Sequence, residues 1–214
     1  MGNSRAERRS RCPRAITLLA RDDKALHHAG ANGIYREGMN LAAIPTFASD
    51  DIFHVIVEAP RGSTLKLKYE PRWEAMSVSR PLPAGVSFPF DWGFVPSTEA
   101  SDGDPLDALL LWDVPSFPGV VVPCRAIGVL QVEQNRRNTD PSERIRNDRV
   151  LSVPLDARRE LGLTDLAGVP TRVRQELETF TIAATALEGK DVRIIGWGDA
   201  TAALALVRDS MQRD

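Results

Sequence analysis

The sequence predicts an α+β fold: a small closed or nearly closed β-barrel with two C-terminal helices packed outside it. Strand-type segments follow one another from Phe53 to about Leu155, whereas apolar residues recur at helical spacing only after Pro170. Many consecutive strands followed by helices are typical of α+β domains, and closing the sheet leaves it no unpaired edge. The length of 214 residues suits one domain with extensions better than two domains.

The N-terminal part of the chain differs in character from the rest. In residues 1–45, arginine and lysine outnumber the acidic residues and apolar periodicity is poor. This segment also lacks the apolar core of a secretory signal. We therefore predict a poorly structured basic extension over residues 1–45 and a barrel domain over residues 46–214.

Strand patterns begin at Phe53. The segments FHVIVE and TLKLKYE alternate apolar and polar residues, and the PRG between them is typical of a turn, so we predict a β-hairpin over residues 53–70. Strand-type residues continue in AMSVS and GVSFPFDWGFV. The segment DALLLW is short, apolar and bounded by turn residues, which favours a buried strand.

The remaining elements follow in the second half of the chain. VVVPCRAIGVLQVE and RVLSVPL have strand character, and the polar span 134–148 between them predicts a long exposed loop. Apolar spacing predicts a helix over residues 171–187, with Pro170 in its first turn. DVRIIGW predicts a final strand, after which Asp199 can cap a closing helix.

Composition argues against several classes of function. The formal net charge is −2, so nothing global recruits nucleic acid or an anionic membrane, and no apolar segment approaches a membrane span in length. Cys12 and Cys124 belong to no C-x-x-C pair, and the three histidines show no metal-ligand spacing. We expect a cytoplasmic protein without nucleic-acid or membrane partners.

A dense group of carboxylates is the strongest functional signal. The sequence SDGDPLDALLLWD, residues 101–113, places Asp102, Asp104 and Asp107 within six residues. Carboxylates this close repel one another, and hard divalent cations bound through their oxygens would offset the repulsion. Solvated turn residues are the alternative, because Gly103 and Pro105 mark a turn. An EF-hand fits poorly, since the glycine is second rather than sixth, and a lone D-x-D sugar-nucleotide motif is weak evidence.

The spacing D-G-D-P-L-D resembles the signature of the soluble (family I) inorganic pyrophosphatases, which have a small OB-like barrel and several magnesium ions. Other segments resemble the family in the same order: VIVEAPRGSTLKLKYE, SRPLPAGVSFPFDWGFVPST, FPGVVVPCRAIGVLQVEQ, RNDRVLSVP and ALEGKDVRIIGW. The resemblance runs from about Phe53 to the C-terminus. It implies magnesium-dependent hydrolysis of inorganic pyrophosphate to two orthophosphates by metal-activated water, in a cytoplasmic homo-oligomer.

The resemblance also implies roles for the acidic residues. Asp102 and Asp107 would bind Mg²⁺, several ions per site, and Asp104 would accept a proton from the attacking water. Glu58 and Glu70 would be further acids facing the cavity. Glu58 also fits a surface charge at the end of a strand.

Basic and aromatic residues would bind the substrate. Lys68, Arg80 and Arg149 are the implied phosphate ligands, and Arg149 takes a position usually held by lysine, which keeps the charge but changes its geometry. Trp92 and Phe88 occupy positions where the family often has tyrosine. We expect Phe88 to pack in the core, whereas Trp92 retains an indole N–H that could bind phosphate.

The chain departs from the family pattern before the strand VLSVP. Well-known members have D-x-K there, and the aspartate binds metal. In RNDRVLSVP, counting back from the strand places Asn147 at the ligand position and Asp148 one residue late. Either Asp148 reaches the metal through a local shift, or Glu133 and Asn147 rebuild the site with less charge.

A second departure affects the substrate clamp. Relatives often have a Tyr-Lys or Tyr-Asn pair before the LEG stretch, where this chain has Ala184 and Thr185. Losing these donors could lower the rate by roughly 10²-fold, by analogy with oxyanion donors. This leaves two alternatives to pyrophosphate hydrolysis: hydrolysis of another phosphoanhydride, or a catalytically impaired protein that binds phosphate or serves in assembly.

Overall fold

The computed structural model describes residues 40–136, 143–160 and 162–212. Within these residues the chain forms ten strands and two α-helices. The strands are β1 (Phe47–Ser49), β2 (Ile52–Ala59), β3 (Leu65–Glu70), β4 (Ala75–Pro81), β5 (Asp91–Phe94), β6 (Asp107–Leu110), β7 (Val121–Asn135), β8 (Arg144–Arg146), β9 (Arg149–Pro154) and β10 (Arg193–Gly198). The helices are α1 (Thr171–Thr185) and α2 (Ala200–Asp209).

Five strands close into a ring, in agreement with the predicted α+β fold. β2 pairs with β5, β5 with β6, β6 with β9, β9 with β7, and β7 returns to β2. The β6–β9 pair is parallel and the other four are antiparallel. The ring needs close approach at Gly93 of β5, because a Cβ there would lie 2.0 Å from the carbonyl oxygen of Ile56.

The ring strands are buried on both faces, which explains why their sequences are nearly continuous runs of apolar residues. All six residues of β9 are buried. Leu109 of β6 belongs to a cluster that includes Leu177 and Phe180 of α1. Its neighbour Leu110 belongs to a second cluster, which includes Val207 of α2. Successive strand residues point to opposite faces, so the two helices cover different residues of the same strands.

The predicted hairpin over residues 53–70 is wrong. β2 and β3 lie in different sheets, since both edges of β2 are occupied by ring strands and, within the described ranges, β3 pairs with β4 alone. The turn segment instead bonds to residue 88, where Gly62 N donates to the Phe88 carbonyl and Phe88 N donates to the Ser63 carbonyl. β2 is buried on both faces and needs two neighbours, whereas β3 and β4 can expose one face.

Several other expectations can be compared with the structure. Part of the predicted loop over residues 134–148 is strand β8, which pairs with β7, while residues 137–142 lie outside the described residues. The closing helix is confirmed, and Asp199 caps it by accepting a hydrogen bond from Ala202 N. Most of the predicted N-terminal extension also lies outside the described residues. In its described part, residues 40–45, Leu41 is buried.

Candidate active site

The three aspartates lie in and just after a tight turn. Gly103 adopts φ +82°, a left-handed conformation that glycine takes without strain, and its N–H donates to the Ala100 carbonyl. The Ala100 N–H donates in turn to the Asp104 carbonyl at 2.8 Å. Asp107 is the first residue of β6. The turn places Asp102 and Asp104 beside it, so that all three aspartates line one cavity.

The parallel pairing of β6 with β9 brings a cation to these acids. Asp107 and Arg149 are register partners at the first residue of each strand. The Arg149 Nη2 atom lies 3.9 Å from the Asp107 Oδ2 atom. Arg149 is only 4% exposed, and its guanidinium lies 5.7 Å from the centre of the Trp92 ring. Burial lowers the pKa of Arg149, and the neighbouring Asp107 and Asp102 oppose this effect.

Asn147 occupies the position where the family resemblance implies a metal ligand. Its side-chain Nδ2 donates to Asp102 Oδ2 at 2.7 Å, and its backbone N–H donates to the Val132 carbonyl at 2.9 Å. Its own carbonyl accepts a hydrogen bond from Arg149. The amide is therefore fixed between the acidic turn and the ring, with only 6% of the residue exposed.

The small β3–β4 sheet supplies further cations. Lys66 and Lys68 alternate onto the same face of β3, and Lys68 Nζ contacts Asp104 Oδ1 at 2.7 Å. A β-bulge lets Ser79 and Arg80, which are consecutive in β4, both line the cavity: Lys66 pairs with Arg80, and Leu67 pairs with Val78.

We call the space between these elements the central cavity. Its lining includes Lys66, Lys68, Arg80, Phe88, Trp92, Asp102, Asp104, Asp107, Asn147, Arg149, Phe180, Thr181, Ala184, Thr185 and Lys190. It therefore joins the acidic turn to the cationic residues that the sequence predicted for phosphate.

Glu58 is a buried acid and not a surface charge. It lies in a side pocket that also contains Asp104 and Asp107, and its Oε1 accepts a hydrogen bond from Tyr69 N at 2.9 Å. Burial raises the pKa of Glu58 to about 7. Proximity to Asp107 adds to this increase, and the bond from Tyr69 opposes it.

This raised pKa predicts a pH-dependent stability. The folded state binds more protons than the unfolded state from about pH 4.5 to 7, so the free energy of unfolding should fall as pH rises through this window. Glu58→Gln keeps the acceptor for Tyr69 N and should be the more stable protein at pH 8, by up to ~3 kcal/mol at ~1.4 kcal/mol per pKa unit. Urea unfolding at pH 5 and pH 8 in metal-free buffer measures the difference.

Glu70→Gln is the matched control for that experiment. Hydrogen bonds from Arg72 lower the pKa of the Glu70 carboxyl, so replacing it should not raise stability at pH 8. If the free energy of unfolding changes with pH by the same amount in the parent and in Glu58→Gln, the argument that burial raises the pKa of Glu58 is wrong.

Three predicted site acids do not line the central cavity. Glu70 pairs with Arg72, with Nε–Oε1 at 3.0 Å. The Asp148 carboxylate accepts hydrogen bonds from Val132 N at 2.8 Å and from Arg146 at 2.7 Å. Glu133 lies 3.5 Å from Arg144. Each of these carboxylates is thus paired with an arginine outside the cavity lining.

Phe88 and Trp92 both line the central cavity, and Phe88 is buried in the core as expected. Phe88 packs against Phe180 with ring centres 5.1 Å apart, and Trp92 lies 6.3 Å from Phe180. Trp92 is 5% exposed, and its Nε1 has no hydrogen-bond partner in the described part of the chain. An indole N–H in this position is suited to an acceptor on a bound ligand.

Sequence reasoning missed Gln134. This residue is 3% exposed, its Oε1 has no partner among the described residues, and it lines an outer pocket with Asp102 and Asp104. Alternation along β7 turns Gln134 and Glu133 to opposite faces, so only one of them can reach the acidic turn. Lys66 and Lys190 were also missed. Strand alternation with Lys68 could have indicated Lys66, whereas Lys190 lies in a loop and gave no pattern.

The donor chemistry of the site fits a hard divalent cation. Burial raises the pKa of Asp102, and repulsion from Asp107 raises it further by a smaller amount. A bound cation would offset both effects. Among the described residues no three acidic, histidine or cysteine side chains converge on one point. Mg²⁺ does not require such a cage, because it commonly binds one or two carboxylates together with water and substrate phosphates.

Comparison with known proteins identifies relatives along most of the chain. Residues 55–214 match the family model described as inorganic pyrophosphatase. An inorganic pyrophosphatase of Thermus thermophilus is 38% identical over 178 residues, which cover 81% of this chain and 97% of the relative. One from Streptomyces coelicolor is 36% identical over 75% of this chain and 94% of its own length. The crystal structure of the Thermus thermophilus enzyme superposes with a TM-score of 0.73, covering 80% of this chain and 97% of that one.

No helix among the described residues has the length and apolar content needed to cross a membrane.

Proposed function

This chain belongs to the inorganic pyrophosphatase family, and from that premise we propose that it is a magnesium-dependent enzyme that hydrolyses inorganic pyrophosphate to two orthophosphates. One observation carries the proposal: Asp102, Asp104 and Asp107 line the same cavity as Lys68 and Arg149. An acidic cluster alone would repel the substrate, and cations alone would leave no site for a metal. The combination suits a highly charged anion that reacts together with bound cations.

The acids have different roles in this proposal. Asp102 and Asp107 hold the divalent cations, and Asn147 orients Asp102 through its 2.7 Å hydrogen bond. When bound, such cations supply Lewis acidity, screen the phosphate charge and lower the pKa of coordinated water. Asp104 takes the proton of the attacking water, a role that needs solvent access. Its side chain is 60% exposed and is held by Lys68.

The cationic wall binds and orients the two phosphate groups. Arg149 places its guanidinium beside Trp92 and donates one hydrogen bond to the Asn147 carbonyl, which leaves its other N–H groups to contact phosphate oxygens. Lys68 and Arg80 approach from the β3–β4 sheet. Trp92 Nε1 offers one more donor. Because phosphoryl transfer depends mainly on positioning and charge stabilisation, these residues contribute by fixing the phosphorus centre relative to the water.

A phosphate-release assay with purified protein tests this function. We expect orthophosphate from pyrophosphate in the presence of Mg²⁺ and none when EDTA removes divalent cations, with activity restored by excess Mg²⁺. Circular dichroism before and after EDTA treatment establishes that the protein remains folded. Folded protein that releases no phosphate with Mg²⁺ would refute the proposal, and release that is unaffected by EDTA would refute the metal requirement.

A second substrate class is favoured by the wall formed by α1. Ala184 and Thr185 line the central cavity where the family resemblance implies a Tyr-Lys or Tyr-Asn pair, and smaller side chains at this wall would admit a larger substrate. Short polyphosphates and nucleoside triphosphates are the candidate substrates. Comparing kcat/KM for pyrophosphate, triphosphate and a nucleoside triphosphate separates the two possibilities. A higher kcat/KM for triphosphate than for pyrophosphate would show that triphosphate is the main substrate.

Family membership also supports a cytoplasmic, homo-oligomeric enzyme. Light scattering of the full chain at several concentrations measures the oligomeric state. A strictly monomeric active protein would contradict this part of the proposal.

A further inference from the structure

The loop after α1 brings a lysine to the wall of the central cavity where the expected donor pair is missing. Ala184 and Thr185 contribute no charge there. Lys190 lines both the central cavity and the outer pocket beside the acidic turn. Its backbone is anchored to the ring, because its carbonyl accepts a hydrogen bond from Asn135 N at 2.7 Å. This hydrogen bond ties the backbone of Lys190 to β7.

Glu188 connects this lysine with a second cation. Its carboxylate forms a salt bridge with Arg80 and lies 3.3 Å from Lys190 Nζ. The side chains are 14% exposed for Glu188, 13% for Lys190 and 24% for Arg80. Long cationic side chains lose considerable rotamer entropy when they are held in one geometry. A poorly exposed carboxylate between them supplies the contact that holds both at the cavity wall.

The charges of the central cavity favour an anion at this wall. Among the described residues five cationic side chains line it, Lys66, Lys68, Arg80, Arg149 and Lys190, against three carboxylates. The carboxylates are concentrated on the acidic turn, whereas Arg80 and Lys190 are joined through Glu188. This separation would allow one phosphate group to bind near the acidic turn and its divalent cations. The other phosphate group would then lie near Arg80 and Lys190.

We propose that Lys190 binds the second phosphate group of pyrophosphate, replacing the cation that Ala184 and Thr185 lack, and that Glu188 positions Lys190 and Arg80 for this contact. The inference rests on the proposed function. A purely structural ion pair is the competing explanation, and it predicts no effect on ligand affinity once the protein is folded.

Binding of methylene bisphosphonate, a P–C–P analogue that cannot be hydrolysed at its bridge, tests the role of Lys190. Calorimetry with Mg²⁺ should show roughly 10- to 100-fold weaker binding for Lys190→Met, the range expected for a charge-assisted hydrogen bond, and near-parent binding for Lys190→Arg. Arg193→Met is the matched control, since it removes an exposed cation three residues along that pairs with Asp191 outside the cavity. Equal loss of affinity in Lys190→Met and Arg193→Met would overturn the proposal.

Glu188→Gln tests the positioning role. If Glu188 holds the lysine, this variant binds the analogue more weakly, and the loss is smaller when Lys190 is already methionine. Tighter binding by Glu188→Gln would mean that the carboxylate only opposes the anion, and would overturn the positioning role. A parent protein that binds no analogue would refute the proposed function itself, whereas a binding parent with an unaffected Lys190→Met variant refutes only this inference. Thermal melting of each variant verifies folding.

Discussion

Asp104→Asn should lower the kcat of pyrophosphate hydrolysis by roughly 10²- to 10⁴-fold, the usual contribution of a positioned general base. Asparagine has the same shape as aspartate but cannot take the proton of the attacking water. The Asp104 side chain is 60% exposed and contacts Lys68 on the surface of the cavity. Its replacement should therefore change the free energy of unfolding by no more than about 0.5 kcal/mol.

Steady-state kinetics together with calorimetry of Mg²⁺ distinguish the possible roles of Asp104. Asp113→Asn is the matched control, because Asp113 pairs with Arg159 and does not line the central cavity. It should retain parent activity. If Asp104→Asn is as active as the parent, the proton-acceptor role is wrong. If its activity returns to the parent level at high Mg²⁺, the residue is a metal ligand instead.

Arg149→Met should reduce both stability and activity. Removing one partner of a fully buried ion pair typically costs about 3–5 kcal/mol, and the loss here should be smaller because the Asp107 side chain is 20% exposed. Asp107, with Nη2–Oδ2 at 3.9 Å, and the neighbouring Asp102 would then repel each other without the guanidinium. Activity should fall by at least ~10²-fold, because the variant also loses a cationic phosphate ligand.

Arg149→Lys separates charge from geometry in this experiment. The family resemblance implies a lysine at this position in relatives, so we expect Arg149→Lys to retain most of its activity. Urea unfolding with and without Mg²⁺ gives a second readout. Bound cations replace part of the missing charge, so Mg²⁺ should stabilise Arg149→Met more than the parent. A Met variant with parent stability and activity would show that Arg149 compensates neither acid and binds no phosphate.

The local patterns of the sequence were sufficient for much of the fold. Alternation and turn residues placed most strands, and Asp199 capped the predicted closing helix. The assignment failed where pairing is not local. The segments on either side of Pro60 looked like a hairpin, but β2 is buried on both faces and pairs with β5 and β7. Alternation shows that a segment is a strand, yet it does not identify the strand's neighbour.

The candidate site divides in the same way. D-G-D-P-L-D indicated Asp102, Asp104 and Asp107, because turn chemistry and charge density can be read from consecutive residues. The choice among the other acids needed coordinates. Asn147 faces Asp102, whereas the adjacent Asp148 bonds to Val132 N and Arg146.

The sequence by itself determined the α+β class, the acidic turn and the family to which the chain belongs. Tertiary structure alone decided which charges meet. Glu58 enters the side pocket while Glu70 pairs with Arg72, and Lys190 reaches the central cavity from a loop. The physical reason is that the direction and burial of a side chain depend on strands brought together by long-range pairing, such as the parallel register of Asp107 with Arg149. Composition and spacing describe neighbours along the chain, whereas the electrostatics of a site depend on neighbours in space.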